Sequence, residues 1–490
     1  MKKHLRAVSI MLTVGMLAVS VMGCGGKDGA SAEADPGSSG EPQSQTSQEP
    51  GTSQKPQEGG MLEVEIWSSD FSKEAAMTEL IDRYNASVGK EKGIQLNFMV
   101  SSDVETMLQL AQENGELPML TDTTHGIIPP YEDGGYILPM VKLPGGQEFL
   151  DEWEAKTGPY MPWTKLSGSD DVYSPIYSVS GASVYYNKDM FKAAGIVDEN
   201  GEAKAPATWS EFLEDCRILT TDSTYGAALS MQWKSFAEYS VMYNSYNSME
   251  EMPLSVNWDD LSVSFNCGEQ FETIAEIYQK GYCVPGAETI DNDPARSYFS
   301  EGVAGMFLGY SWDIGVFTSQ YVADFDWDVC QLSAEDGSSY GTRLGFGGHY
   351  MPTAAAAELP EEDQKKVMSV LEWLYGDEVG VALVEAGLIY PYNQEFVEKA
   401  DTSKLSVQTV HLLDQFSKGR VDAKIEEMWS HVDYENGTGA GLMNDSLLKV
   451  CKGEMTVQEM TALLNEKFTE ALRAAVEDGT VIPEEWNGTQ

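Results

Sequence analysis

Basic residues are scarce: the 490-residue chain carries 31 Lys and Arg against 78 Asp and Glu, a formal charge of −47. Counterion release on nucleic acid and electrostatic docking on anionic lipid both need clustered Lys and Arg, so neither is a charge-driven partner. Cysteine is limited to 6 residues, widely spaced and without a CxxC pair, which signals neither a disulfide framework nor a zinc site. The 5 histidines show no HExxH pattern, so a metalloenzyme is not expected, and no metal or cofactor is implied. The apolar run from Ala7 to Met22 is too short, and lacks the far-side flank, for a spanning helix.

What is present is a core-forming composition. Hydrophobic residues make up 42% of the chain, with 11 Trp and 23 Tyr, so the acidity is a solvated surface rather than disorder. At this length one core is insufficient and two lobes are expected. Residues 1–23 place Lys2, Lys3 and Arg6 before the apolar run, the n-region and h-region of a secretory signal. The run closes on Val21-Met22-Gly23-Cys24, which resembles the lipobox of bacterial lipoproteins, although Met22 is a less usual occupant of its position. The resemblance implies lipidation at Cys24; an ordinary signal with an incidental Cys24 is the alternative. Between residues 25 and 60 there is no aromatic residue and no Leu, Ile, Val or Met. Such a stretch cannot offset its conformational entropy, so residues 24–60 read as a lipidated Cys and a disordered tether. The layout is that of a protein held by lipid alone at a membrane surface, on the extracellular face of the cytoplasmic membrane.

The body opens on Leu62-Glu-Val-Glu-Ile-Trp67, whose Leu62, Val64 and Ile66 alternate as a strand. Met77, Leu80, Ile81 and Tyr84 follow at helical spacing, and Ile94, Leu96, Phe98 and Val100 alternate again. Strand, helix, strand at this spacing is a βαβ unit and a parallel sheet, whose ligands gather beyond the carboxyl ends of the strands. That singles out Trp67, Ser68, Ser69 and Asp70, with Trp67 equally readable as core. Thr208 and Glu211 predict a capping box for a helix whose Trp209, Phe212, Leu213 and Cys216 are buried. Ala304-Gly-Met-Phe-Leu-Gly-Tyr310 reads as a buried strand, and a second capping box, Thr456 to Glu459, opens a helix to about Glu477.

Tyr173-Ser-Pro-Ile176, Val184-Tyr-Tyr-Asn-Lys-Asp-Met-Phe through Gly195, Thr208-Trp-Ser-Glu-Phe212, Phe265-Asn266, Gly281-Tyr282, Ala304-Gly-Met-Phe307 with Trp312, Gly347-Gly348 and Tyr390-Pro391 occur in the order seen in one family. From Leu62 to about Gly479 the chain resembles the extracellular solute-binding proteins of carbohydrate ABC importers, most nearly the maltodextrin and multiple-sugar binders of Gram-positive bacteria, which implies a Gram-positive type host. The resemblance implies an α/β, two-lobe, periplasmic-binding-protein-like type II fold with parallel-sheet lobes. Lobe 1 would take residues 61–182 plus 349–400 and lobe 2 residues 183–348 plus 401–485, with crossovers near Ser180–Val184, near Gly347–Met351 and after Tyr390-Pro391. It implies a monomer that holds a sugar or oligosaccharide between the lobes and hands it to a permease. Where the family has Pro-Asp before the third strand, this chain has Pro118-Met119, with Asp122 three residues on.

A sugar cleft needs flat rings for C–H faces and planar polar partners for hydroxyls. By family position the stacking candidates are Trp312 and Trp233, then Phe236 and Tyr350, with Trp429 as a late contact. Polar partners would be Ser69, Asp70, Asp122, Thr123, Gln232 and Asp313. For each ring, core packing is the competing expectation. Enzyme signals are weak. Gly337-Ser-Ser339-Tyr-Gly341 fits the letters of a nucleophile elbow, with His349, His411 and His431 downstream, but its flanks read as a hairpin. Asp324, Asp326, Asp328 and Glu335 imitate an EF-hand loop, yet Val329 stands where Gly is required, and Phe325, Trp327 and Val329 alternate as a strand with the acids on its wet face. His125 and His349 lie near the expected cleft without a defined role. The chain is therefore not expected to be an enzyme. A lipid-anchored carbohydrate-active hydrolase is the rival, since among 78 carboxylates some pair can reach catalytic separation. A binder of a polyamine, a peptide or a metal is the third reading.

Overall fold

The computed structural model describes residues 60–486 except 102, 123–127, 161–163, 166–167, 245–251, 334–341, 347–349, 419, 423–424 and 435–437. Cys24, Thr123, His125, the elbow-like stretch at 337–341 and His349 thus lie outside the described residues. Those described belong to the unit Ser53–Gln490. Among them no helix is long and apolar enough to cross a membrane.

The strands are β1 (Leu62–Ser68), β2 (Ile94–Val100), β3 (Leu120–Thr121), β4 (Ser178–Ser180), β5 (Ala182–Asn187), β6 (Tyr225–Ala228), β7 (Leu254–Asn257), β8 (Ser262–Phe265), β9 (Ala304–Tyr310), β10 (Trp327–Cys330), β11 (Thr342–Phe346), β12 (Met351–Pro352), β13 (Tyr390–Pro391) and β14 (Arg420–Asp422). The first sheet has the order β12-β3-β1-β2. Its β1 pairs parallel to both β2 and β3, and β12 closes one edge antiparallel. The expected βαβ unit is present, with the helix Glu74–Ala86 between β1 and β2. Its core joins Val64, Ile66, Leu80 and Tyr84 to Val367, Val370 and Leu374 of the helix Glu361–Leu374.

The second sheet, β10-β5-β9-β6, departs from an all-parallel arrangement, because β5 pairs antiparallel with β9 and β10 and only β6 is parallel to β9. Every residue of β5 and β9 is buried, as expected for strands covered on both faces. Val184, Tyr186, Met306 and Leu308 face one core, shared with Trp209, Phe212 and the helix Val457–Asp478. Tyr185 and Phe307 face the other, with Phe299, Phe317 and Trp327. Close packing on the first face requires Gly226, where a Cβ would come within 2.4 Å of the Cys216 carbonyl oxygen.

The Thr456 box forms as expected: Glu459 N–H donates to Thr456 Oγ1 at 3.2 Å and Thr456 N–H to Glu459 Oε2 at 2.9 Å. At Thr208 the return bond is displaced by one residue, since Glu211 Oε2 accepts from Ala207 N–H at 2.9 Å. The acidic stretch before Cys330 is also corrected. Asp324 and Asp326 are exposed, but Asp328 is buried on β10, where its Oδ1 lies 2.8 Å from His411 Nδ1.

A third sheet, β13-β4-β11-β14, sets β11 and β13 antiparallel on either side of β4. Only Gly181 separates β4 from β5, so the chain passes there directly into the second sheet. After β11 it returns to the first sheet, where Met351 pairs with Thr121. Tyr375 Oη fastens this region, donating to the Tyr350 carbonyl at 2.9 Å.

Candidate functional site

Two groups of side chains stand at strand ends beside these passages. The first is polar and closes the carboxyl ends of β1 and β3. Asp122 accepts from Ser69 N–H at 2.9 Å, from Ser69 Oγ at 3.3 Å and from Ser68 Oγ. Ser68 Oγ in turn accepts from Asp70 N–H at 3.1 Å. Asp70 caps the short turn Phe71–Lys73 through Ser72 N–H at 3.0 Å and pairs with Lys73 Nζ at 2.7 Å. Both Asp122 and Lys73 are buried. Burial pushes the Asp122 carboxyl up to about 6, opposed by the Ser68 and Ser69 hydrogen bonds. These bonds fix the turn so that Phe71, its first residue, stands 47% exposed beside the carboxylates.

The second group is aromatic and closes the ends of β6 and β9. Trp312 lies on Tyr310 at a centroid distance of 4.2 Å and 31° between planes. Tyr310 meets Tyr239 at 5.5 Å, and Tyr239 meets Trp233 at 5.6 Å. Trp312 and Trp233 are half-buried, and Gln232 beside them is exposed. The turn under Trp312 is pinned from three sides. Tyr185 Oη donates to the Tyr310 carbonyl at 2.6 Å, Tyr310 N–H donates to Asp313 Oδ2 at 2.8 Å, and Ser311 N–H donates to the Gly181 carbonyl at 2.9 Å. Arg296 Nε donates to Asp313 Oδ1 at 2.8 Å. Burial pushes the Asp313 carboxyl up, while Arg296 and the Tyr310 N–H pull it down. Chemically, the rings offer flat apolar surface and the first group offers hydroxyls and carboxylates. Among the described residues no group of His, Cys, Asp and Glu could hold a metal ion.

Residues 68–381 match the family model described as bacterial extracellular solute-binding protein. The chain belongs to that family. Over 356 residues it is 23% identical to the sn-glycerol-3-phosphate-binding periplasmic protein of Brucella melitensis, covering 70% of this chain and 72% of that one. The corresponding protein of Rhizobium meliloti is 21% identical over 354 residues, 70% of this chain and 73% of that one. Among solved structures, an ABC transporter solute-binding protein from Thermotoga lettingae, bound with alpha-D-tagatose, superposes with a TM-score of 0.61 at 17% identity, over 84% of this chain and 100% of that one. The Thermus thermophilus maltotriose-binding protein gives a TM-score of 0.60 at 15% identity, over 84% and 100%. These likenesses establish the two-lobe α/β fold.

Within this solute-binding protein the side chains named from sequence divide sharply. Ser69, Asp70 and Asp122 come together, as do Trp312, Trp233 and Gln232; Thr123 lies outside the described residues. Five others are placed in cores rather than at a cleft wall. Trp67 is 8% exposed among Val104, Leu108 and Tyr131, because the face of β1 opposite Ile66 is covered as well. Phe236 is fully buried in a π-helical turn. Tyr350 packs edge-on against Tyr177 and Tyr375, and Trp429 against Phe468 at 4.7 Å. Asp313 is buried against Arg296 and supports Trp312 from below. Sequence reasoning missed Tyr310, Tyr239, Lys73 and Phe71. Phe71 had a readable signal, as an aromatic residue directly after the strand-end Ser68-Ser69-Asp70.

Proposed function

We propose that this protein captures a neutral sugar or oligosaccharide between its two lobes and delivers it to the permease of an ABC importer, without catalysis. The observation that carries this reading is the run of rings from Trp312 through Tyr310 and Tyr239 to Trp233, half-open at both ends, beside an exposed Gln232. Lobe 1 is taken as residues 61–182 plus 349–400 and lobe 2 as 183–348 plus 401–485. In support, most residues of the hydrophobic core around β1 fall in the first set of ranges and most of those around β5 and β9 in the second, with Ile176, Val179 and Tyr390 packing across the stated bounds. Lipid at Cys24 and the tether up to residue 60 hold the receptor, a monomer, at the extracellular face of the cytoplasmic membrane.

The relatives named for sn-glycerol-3-phosphate give a second reading. Against it, Lys73, the cation in the polar group, is already paired with Asp70, so a phosphate there would meet carboxylates. The test is a ligand panel read by thermal midpoint, holding mono- and oligosaccharides, glycerol 3-phosphate, polyamines and peptides, because a ligand bound only by the folded state raises the midpoint by mass action. A sugar that raises it and remains intact supports the proposal. New reducing ends would establish a hydrolase, and a shift with glycerol 3-phosphate alone would establish the second reading. Replacing Cys24 with Ala is expected to release the protein from cells into the medium.

A further inference from the structure

The helix Gly439–Cys451 packs its start against the turn that carries Gln232 and Trp233. Asn444 Nδ2 donates to the Met231 carbonyl at 2.9 Å, and Trp233 N–H closes the turn on the Ser230 carbonyl at 3.0 Å. The Met231 carbonyl fixes the amide orientation, because only the nitrogen of Asn444 can face it. Asn444 Oδ1 is thereby turned away from that carbonyl. It is buried without a hydrogen-bond partner among the described residues, on a side chain 4% exposed. The Ser230 hydroxyl, one residue from the contact, is buried in the same condition. Two orphaned polar groups at one spot call for a physical account.

Helix side chains lean toward the N-terminus, so Asn444 reaches over Ala440 and Gly441. The two glycines of this first turn differ. A Cβ on Gly439 would strike the Phe468 ring at 2.5 Å and the Trp429 ring at 2.9 Å, so packing demands glycine there. A Cβ on Gly441 would meet no atom within 4 Å beyond its chain neighbours and the helix backbone, and its φ is not positive. Glycine weakens a helix relative to Ala, yet neither packing nor backbone conformation requires it at this buried position. What Gly441 provides is room beside the Asn444 amide. The first-turn N–H groups have no acceptor within the helix, and the N-cap residue Thr438 makes no side-chain cap bond. Donors unused by the helix next to an unpaired acceptor complement a hydroxyl, which both donates and accepts. A phosphate oxygen would satisfy the N–H groups but face the lone pairs of the Asn444 oxygen.

We infer that Asn444 is a specificity-determining residue of the sugar site: its Oδ1 accepts one ligand hydroxyl, lodged beside Gly441 at the head of this helix. The inference rests on the sugar-receptor reading above and deepens it. The test is calorimetric titration of the full chain with D-glucose, D-xylose, D-tagatose and maltotriose, then with monodeoxy analogues of the tightest binder. Asn444→Ala should weaken that sugar about tenfold. One monodeoxy analogue should bind the parent equally weakly and lose nothing further in Asn444→Ala, a coincidence that a merely structural role for Asn444 would not produce. Gly441→Leu, which fills the space while strengthening the helix, should weaken the sugar at least tenfold even if Asn444→Ala folds poorly. Unchanged affinity in either variant, or the same penalty from every analogue in the parent and in Asn444→Ala, would overturn this inference alone. Failure of every sugar to bind the parent would overturn the sugar reading together with it.

Discussion

The Trp312 ring rests on Tyr310 at 4.2 Å, and the backbone of Tyr310 is held by the Tyr185 hydroxyl and the Asp313 carboxylate, so the open ring has a rigid support. A platform fixed before ligand arrives loses little side-chain entropy on binding.

Trp312→Ala is therefore expected to abolish sugar-induced stabilisation. Because the ring is only half-buried, the unliganded protein should lose less than the roughly 3–5 kcal/mol typical of a buried aromatic. Phe236→Ala is the counterpart, with about that full loss expected from a core position. Urea denaturation of both, with and without ligand, separates platform from core.

Arg296→Met should act on the same platform from beneath. It leaves Asp313, 2% exposed, without its cation, and breaking a buried pair from one side costs about 3–5 kcal/mol. The double variant Arg296→Met with Asp313→Asn should recover part of that loss, and a double-mutant cycle measures the coupling.

These two residues also show what sequence could reveal. Trp312 was named by its family position after the Ala304-Gly-Met-Phe strand, and the structure leaves its ring half-buried at that strand's end. Asp313 was named as a ligand partner by its family position, and its partner Arg296 sits 17 residues upstream on another helix, a relation that only folding creates. The alternation that identified β1 described one of its faces, whereas Trp67 is buried by Val104 and Leu108 on the other. Phe71 was overlooked because a three-residue turn has no period. The two-lobe architecture was readable because it is spread over many motifs; the composition of the ring cluster was not, since Tyr239 links Trp233 to Tyr310 across about seventy residues of chain.

Asp122 predicts a pH dependence of stability. Its folded value, about 6, lies above the ordinary range of an aspartate carboxyl, so folding favours the protonated form. This contribution is fully present below about pH 4 and is lost as pH rises through about 6, on the order of 3 kcal/mol for the whole change. The Asp122→Asn variant should flatten that part of the stability profile. Its amide cannot accept from both Ser68 and Ser69, so the slope between pH 4 and 7 is the readout rather than absolute stability. An unchanged slope would assign the proton uptake to another group.

Phe71 supplies the sharpest test of the polar group. At 47% exposure its ring contributes little to the core, so Phe71→Ala should leave unfolding free energy within about 0.5 kcal/mol of the parent. If the ring is the lobe-1 counterpart of Trp312, sugar affinity should fall about tenfold, equivalent to 1.4 kcal/mol, and Phe71→Trp should restore it. The asymmetry matters because the other aromatic residues expected in lobe 1, Trp67 and Tyr350, are buried. Loss of affinity in Trp312→Ala with none in Phe71→Ala would put the stacking on lobe 2 alone, leaving lobe 1 to hold hydroxyls through the serines and carboxylates around Asp122. Isothermal titration with the best sugar of the panel distinguishes the two.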